Sequence, residues 1–250
     1  AGATSKLEKR GSLFILTLIG DSKEDQEHRL SPDLISQIRS HLSQVKSQAV
    51  DGSALITLSH GKFFSNGFDL RRAQAVGAES GSYDDARLEL HRMTELFRGV
   101  VADLLSLPMP TIAAVTGHAA AAGMILAIAH DYVLMTSSRG FMYMSELDIG
   151  MTLPDYFTAL IRAKIGSHAA RREVLLRAAK VRAEEAVKMG IVDAAYDSAE
   201  EVVASAVGKG EELAKRRWSG EAYAGIRKAL FPELCLLLGV PGNVVVPSKL

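Results

Sequence analysis

The stretch Gly117-His118-Ala119-Ala120-Ala121-Ala122-Gly123 joins an apolar strand, Thr111-Ile112-Ala113-Ala114-Val115, to a helix that is apolar nearly all round. Side chains this small leave the backbone open to close approach. The first N–H groups of a helix have no partner inside it and carry the positive end of its dipole, so they suit a developing negative charge. The same residues would equally serve tight packing of helix on strand, and a motif this short does not decide between the two. His118 has no acidic partner at a telling spacing and reads as structural. Cys235 is the only cysteine, which rules out an internal disulfide and fits a buried, small apolar residue. No spacing of His, Cys and acidic residues suits a metal, and no dinucleotide-type or phosphate-loop glycine pattern occurs.

The elements that position this stretch follow from periodicity and punctuation. Leu13 to Leu18 reads as a strand ended by Gly20-Asp21. Ser31 as cap and Pro32 as first residue open a helix whose stripe is Leu34, Ile35, Ile38, Leu42 and Val45. Ala54 to Leu58 is a second buried strand, so strand, helix and strand predict a right-handed crossover in a parallel sheet. That strand runs into Gly61-Lys62-Phe63-Phe64-Ser65-Asn66-Gly67-Phe68-Asp69-Leu70, another loop at a strand end. Gly77 to Tyr83 is small and polar and reads as a mobile stretch. A long helix from about Asp84 to Ser106 precedes the central strand, and Tyr132 to Met135 is a further strand. From Pro154 onward the pattern is helical throughout, which predicts an α/β core followed by a C-terminal helical lobe.

The chain has 250 residues, 48% of them hydrophobic, with 29 basic and 29 acidic side chains. A balanced charge gives no electrostatic bias toward nucleic acid or an anionic membrane surface, and neither is expected as a partner. No apolar run reaches the about 20 residues needed to span a bilayer, and a soluble protein of a reducing compartment is expected.

Taken together, three motifs resemble the crotonase superfamily, the enoyl-CoA hydratase and isomerase family. Lys62-Phe63-Phe64-Ser65-Asn66-Gly67-Phe68-Asp69-Leu70 is similar to its first loop and Gly117 to Asp131 to its second. Arg182-Ala183-Glu184-Glu185-Ala186-Val187-Lys188-Met189-Gly190-Ile191-Val192-Asp193 is similar to its downstream helix and turn. The resemblance implies a crotonase-like core of repeated ββα units carrying the acyl-CoA site over residues 1–193. Residues 194–250 would then form a C-terminal helical region for trimers or pairs of trimers, helped by Leu230, Leu234, Leu236, Leu237 and Leu238. It implies a CoA thioester whose carbonyl oxygen is held by two backbone N–H groups, carried over to Asn66 and Ala122. The substrate would be lined by Lys62, Phe64, Ser65, Gly67, Phe68, Asp69 and Leu70 from the first loop and by Ala121, Gly123 and Ile125 from the second. CoA is part of the substrate, and no separate cofactor is implied.

Hydratases of this family use two glutamates; here one of those places is Ile125 and the other matches Glu146. Adding water needs one group to take a proton from water and one to deliver a proton to carbon, whereas moving a double bond needs only a shuttle. The pattern therefore favours an isomerase that shifts the double bond of a 3-enoyl-CoA to the 2-position over a 2-enoyl-CoA hydratase. A non-catalytic acyl-CoA binding protein is the rival from another class. Asp155, after Pro154, competes with Glu146 for the role of base, or is simply a helix-start carboxylate. The last three residues, Ser248-Lys249-Leu250, match the peroxisomal address read by an import receptor.

Overall fold

The computed structural model describes residues 4–20 and 26–242. Strand β1 (Ser5–Arg10) forms an antiparallel hairpin with β2 (Leu13–Leu18). β1 has no signature in the sequence because its residues, Ser-Lys-Leu-Glu-Lys-Arg, lie at the exposed edge of the sheet, where charged side chains also discourage pairing with another chain. Helix α1 (Pro32–Ser47) starts as expected, with the Ser31 hydroxyl accepting from Leu34 N at 3.2 Å. It returns the chain to β3 (Ala54–Ser59), which is parallel to β2 and buried along its whole length.

Next come a three-residue strand β4 (Phe63–Ser65), α2 (Leu70–Ser80) and α3 (Tyr83–Ser106). The run from Gly77 to Tyr83 that reads as mobile in the sequence is instead the end of α2 and a two-residue turn. Ser82 caps α3 by accepting from Asp85 N at 3.3 Å, so the small residues serve a close helix hairpin. β5 (Thr111–Val115), β6 (His118–Ala120), α4 (Ala122–Ile128), β7 (Tyr132–Thr136) and β8 (Met142–Tyr143) follow. The remaining elements are α5 (Asp155–Lys164), α6 (His168–Leu176), α7 (Ala183–Lys188), β9 (Ala194–Tyr196), α8 (Ala199–Ala214), α9 (Gly220–Leu230) and α10 (Pro232–Leu238).

Two sheets result. The larger has the order β1-β2-β3-β5-β7-β9, parallel beyond its first pair, and the smaller has the order β4-β6-β8, parallel throughout. One face of the large sheet packs on α1 and α3 around Phe14, Leu16, Ile38 and Phe97, while Leu13, Ile15, Ile56 and Ile112 pack under α8. β9 was not visible in a region that reads as all helix; its three residues are only half-buried, but they pair with Leu134 to Thr136. The boundary after Asp193 falls just before this strand.

The C-terminal helices fold back on the core. Leu234 and Leu238 of α10 are buried and Leu237 packs against the core, which leaves Leu230 and Leu236 as the exposed members of that leucine set. Arg227 on α9 is 4% exposed and donates to the carbonyls of Leu104, Leu105, Leu107 and Met109, so it caps the open C-terminal end of α3. It also pairs with Asp131 at 2.5 Å.

Candidate active site

The small sheet is the positioning device. Its three parallel strands run in one direction, and each ends at a segment that matters: β4 at Asn66-Gly67-Phe68, β6 at Ala121-Ala122, and β8 three residues before Glu146. Alternation along the strands turns Phe64, Ala119 and Met142 into the core. Phe64, given a lining role from the sequence, is fully buried in the main core cluster, as are Ala122 and Ile125. Ser65 is also fully buried, with its hydroxyl donating to His28 O at 2.8 Å.

The two loops touch. Any side chain on Gly123 would collide with the Ser65 carbonyl, and a Cβ on Gly67 would lie 3.4 Å from Ala122 N. Ala121 holds φ 51° and ψ −124°, the values of the first central residue of a type II′ turn, a place that favours glycine. An alanine there stores strain of about 1–3 kcal/mol. Its N–H donates to Tyr143 O at 2.8 Å and its carbonyl accepts from Met124 N and Ile125 N, so both sides of the turn are fixed. Ala122 N, the first amide of α4, has no acceptor among the described residues.

Asn66 does not fill the role given to it. Its N–H donates to Glu27 O at 2.8 Å, and its side-chain amide donates to the Glu27 carboxylate at 3.3 Å. That carboxylate also pairs with Arg29. The Gly67 N–H is held by Ser65 Oγ at 3.3 Å. The next amide, that of Phe68, has no acceptor among the described residues and adjoins the glycine that abuts Ala122 N. The first-loop amide left free is therefore that of Phe68, two residues after Asn66. The contact that engages Asn66 comes from a residue 39 positions earlier, which no local motif reveals.

The other first-loop residues divide between structure and surface. Asp69 caps α2 by accepting from Arg72 N at 3.2 Å, and half-buried Leu70 begins that helix. Lys62 is exposed, with its ammonium 5.7 Å from the Phe63 ring centroid. The Phe68 ring packs edge-on against Phe97 at 5.6 Å and stacks with Phe157 at 6.1 Å. These two rings, from α3 and α5, carry no local motif in the sequence, and they place an apolar wall beside the Phe68 amide.

Glu146 is half-buried, and its Oε2 is shielded from solvent without any hydrogen-bond partner. Burial pushes its carboxyl above the ordinary glutamate range. The backbone around it is fixed, since its carbonyl accepts from Met151 N at 2.8 Å and Ile149 N at 3.2 Å. Asp155 is exposed in the first turn of α5, where a carboxylate favours the helix dipole. Ile125 is fully buried in the first turn of α4. His118 lies between the rings of Phe63 and Phe141, at 4.9 and 5.6 Å, and burial together with Lys62 and Lys180 lowers its pKa. Among the described residues no group of three His, Cys, Asp or Glu side chains is placed to hold a metal ion.

This geometry offers two free amides for an oxyanion, one desolvated carboxylate and an apolar wall. The profile of the family described as Enoyl-CoA hydratase/isomerase matches residues 24–230. The peroxisomal enoyl-CoA delta isomerase 2 of Arabidopsis thaliana is 60% identical over 98% of this chain and 99% of its own length. Enoyl-CoA delta isomerase 1, also peroxisomal and from the same plant, is 54% identical over 92% of this chain and 90% of its own length. The human mitochondrial delta3-delta2-enoyl-CoA isomerase shares the fold, with a TM-score of 0.79 and 17% identity over 95% of this chain and 86% of that one.

Proposed function

The chain belongs to the enoyl-CoA hydratase/isomerase family, and from that premise we infer that it is an isomerase that moves the double bond of 3-enoyl-CoA thioesters to the 2-position. The Glu146 carboxylate removes a proton from C2. The electron pair moves onto the thioester oxygen, where the Phe68 and Ala122 amides hold the dienolate. Protonated Glu146 then returns the proton at C4, which leaves the double bond between C2 and C3. The proton that leaves is the proton that returns, so the step needs no redox partner and no second acid. CoA enters and leaves as part of the substrate.

The observation that carries this reading is the Glu146 carboxylate, whose Oε2 is shielded from solvent without a hydrogen-bond partner among the described residues, together with the apolar Ile125 in the first turn of α4. A hydratase needs a second group to hold water, and Ile125 has none to offer. The relatives at 54–60% identity carry the isomerase name. The test is a parallel assay of a 3-enoyl-CoA and a 2-enoyl-CoA with the pure protein. Isomerisation without hydration is expected; hydration at comparable rate, or binding without turnover, would refute the reading.

The same reading includes location and assembly. Two of these relatives are named peroxisomal, and Ser248-Lys249-Leu250, which lie outside the described residues, match the import address. The protein is accordingly a peroxisomal matrix enzyme of the oxidation of unsaturated acyl chains, recognised by the import receptor. It assembles as a homotrimer or hexamer in which exposed Leu230 and Leu236 help cover one another's surfaces.

A further inference from the structure

His130 is a buried, titratable side chain that the isomerisation step does not use. It follows α4, the helix whose first amide, that of Ala122, is one of the two free donors. The residue is 1% exposed, and burial drives its pKa down to about 4, against the pull of the Leu126 carbonyl and of Asp131. The ring is therefore neutral at pH 7, with one N–H and one bare nitrogen. Nδ1 lies 2.9 Å from Leu126 O, and Nε2 lies 2.8 Å from Thr57 Oγ1. A carbonyl can only accept, so the proton sits on Nδ1 and Nε2 accepts from the Thr57 hydroxyl. One ring thus donates to α4 and accepts from β3.

Both ends of this bridge bear on the oxyanion site. The His130 amide bonds to Ala127 O at 3.2 Å rather than to Leu126 O, so the last turn of α4 leaves the Leu126 carbonyl to the imidazole. Leu126 stands about 6 Å along the helix axis from Ala122, four residues at 1.5 Å each. Thr57 belongs to β3, the strand that leads into the first loop and its Phe68 amide. Where β3 ends, the Ser59 hydroxyl donates to Phe63 O at 2.9 Å and the Ser59 carbonyl accepts from the Thr116 hydroxyl at 2.9 Å. The strand is therefore tied to the starts of both loops. Water cannot stand in for the ring, because the pocket that Thr57, Leu126 and His130 share with Leu16, Ile38 and Leu104 has no room for a water molecule.

We propose that His130 is a positioning residue, whose imidazole sets the separation of the Ala122 and Phe68 amides by bridging α4 to β3. The inference rests on the reading of those two amides as the oxyanion donors. Without the ring, the Leu126 carbonyl and the Thr57 hydroxyl are both left unpaired in a dry, apolar pocket, and each can recover a partner only if α4 or β3 moves. A displacement of about 1 Å at a group that must meet the reacting atoms costs about 100-fold in rate. Binding of the rest of the substrate is not affected, so the loss falls on kcat rather than on KM.

Hexanoyl-CoA has no double bond to move, so it reports on the oxyanion site without turning over. In the wild-type protein the infrared C=O stretch of its thioester, labelled at the carbonyl carbon, should move to lower frequency on binding, because two donors polarise the bond. His130→Leu should shrink that shift and lower kcat for a 3-enoyl-CoA by about 100-fold, with KM little changed. Thr57→Val keeps the shape of its side chain and breaks the same bridge from the other end. It should shrink the shift and lower kcat by about tenfold or more, and it decides the case if His130→Leu does not fold. Since the two bonds lie in series, Thr57→Val should add little in a His130→Leu background. A full shift with wild-type kcat in Thr57→Val, a rise in KM in place of the fall in kcat, or losses that add in the double variant would overturn the proposal and leave the isomerase reading standing. Absence of any shift in the wild type would overturn the two-amide reading and this inference with it.

Discussion

Glu146→Gln keeps the side chain's size and its place after β8 but removes the proton acceptor. Positioned acid–base groups contribute about 100-fold to 10,000-fold, so kcat should fall by that range, about 3–5 kcal/mol of transition-state stabilisation. The upper part of the range is expected, because the other candidate, Asp155, is exposed in the first turn of α5 and Ile125 offers no carboxylate. KM should change little, since the amides of Phe68 and Ala122 remain. The pH dependence follows from the same burial. The base must be ionised, so wild-type kcat/KM should decline as pH falls through a pKa above the ordinary glutamate value of 4.5. Stability should move the other way: a carboxyl whose folded pKa is raised costs stability when ionised, so the folded state binds the extra proton on acidification and gains relative to pH 7. Glu146→Gln should therefore be less active yet more stable than wild type at neutral pH, with the stability gap closing as pH falls through the raised pKa. Turnover of a 3-enoyl-CoA, its pH profile and denaturant melts at several pH values check this. A variant within tenfold of wild-type kcat would refute the assignment.

Asp155→Asn should retain near-wild-type turnover; a loss matching that expected of Glu146→Gln would move the base to Asp155. Replacing the Phe68 amide by an ester through semisynthesis should lower kcat on the order of 100-fold, the typical cost of one oxyanion donor, and unchanged kcat would return the role to another amide. Arg227→Met leaves Asp131 buried without its cation and uncaps α3, so urea melts should show a loss of about 3–5 kcal/mol; a loss under 1 kcal/mol would show that solvent reaches the pair. For location, an N-terminal fluorescent fusion should be punctate and become diffuse when Ser248 to Leu250 are deleted, and punctate signal that survives the deletion would refute the peroxisomal reading.

The long elements were legible because each carries its own signal. Ser31-Pro32 before an apolar stripe gave the start of α1 to the residue, and the largely apolar strands at Leu13, Ala54 and Thr111 gave the parallel centre of the sheet. The small sheet was not legible, because strands of two or three residues have no periodicity to detect. Phe63–Ser65 and His118–Ala120 therefore read as parts of loops. That omission explains the misplaced donor. Read as a loop, Lys62 to Leu70 gives no reason to prefer one amide over its neighbour. Read as a strand end, it does: β4 fixes which way Asn66 faces, and the segment from Glu27 to Leu30 bonds to one edge through Asn66 N, Ser65 Oγ and the Gly67 carbonyl. With those groups engaged and Gly67 lying against Ala122, Phe68 is the amide left on the second loop's side. Glu146, by contrast, follows β8 on a turn fixed by its own carbonyl, beside buried Met144. Register within the small sheet thus determines which backbone groups are free, and the freedom of those groups, rather than the identity of the loop side chains, is what the proposed chemistry uses.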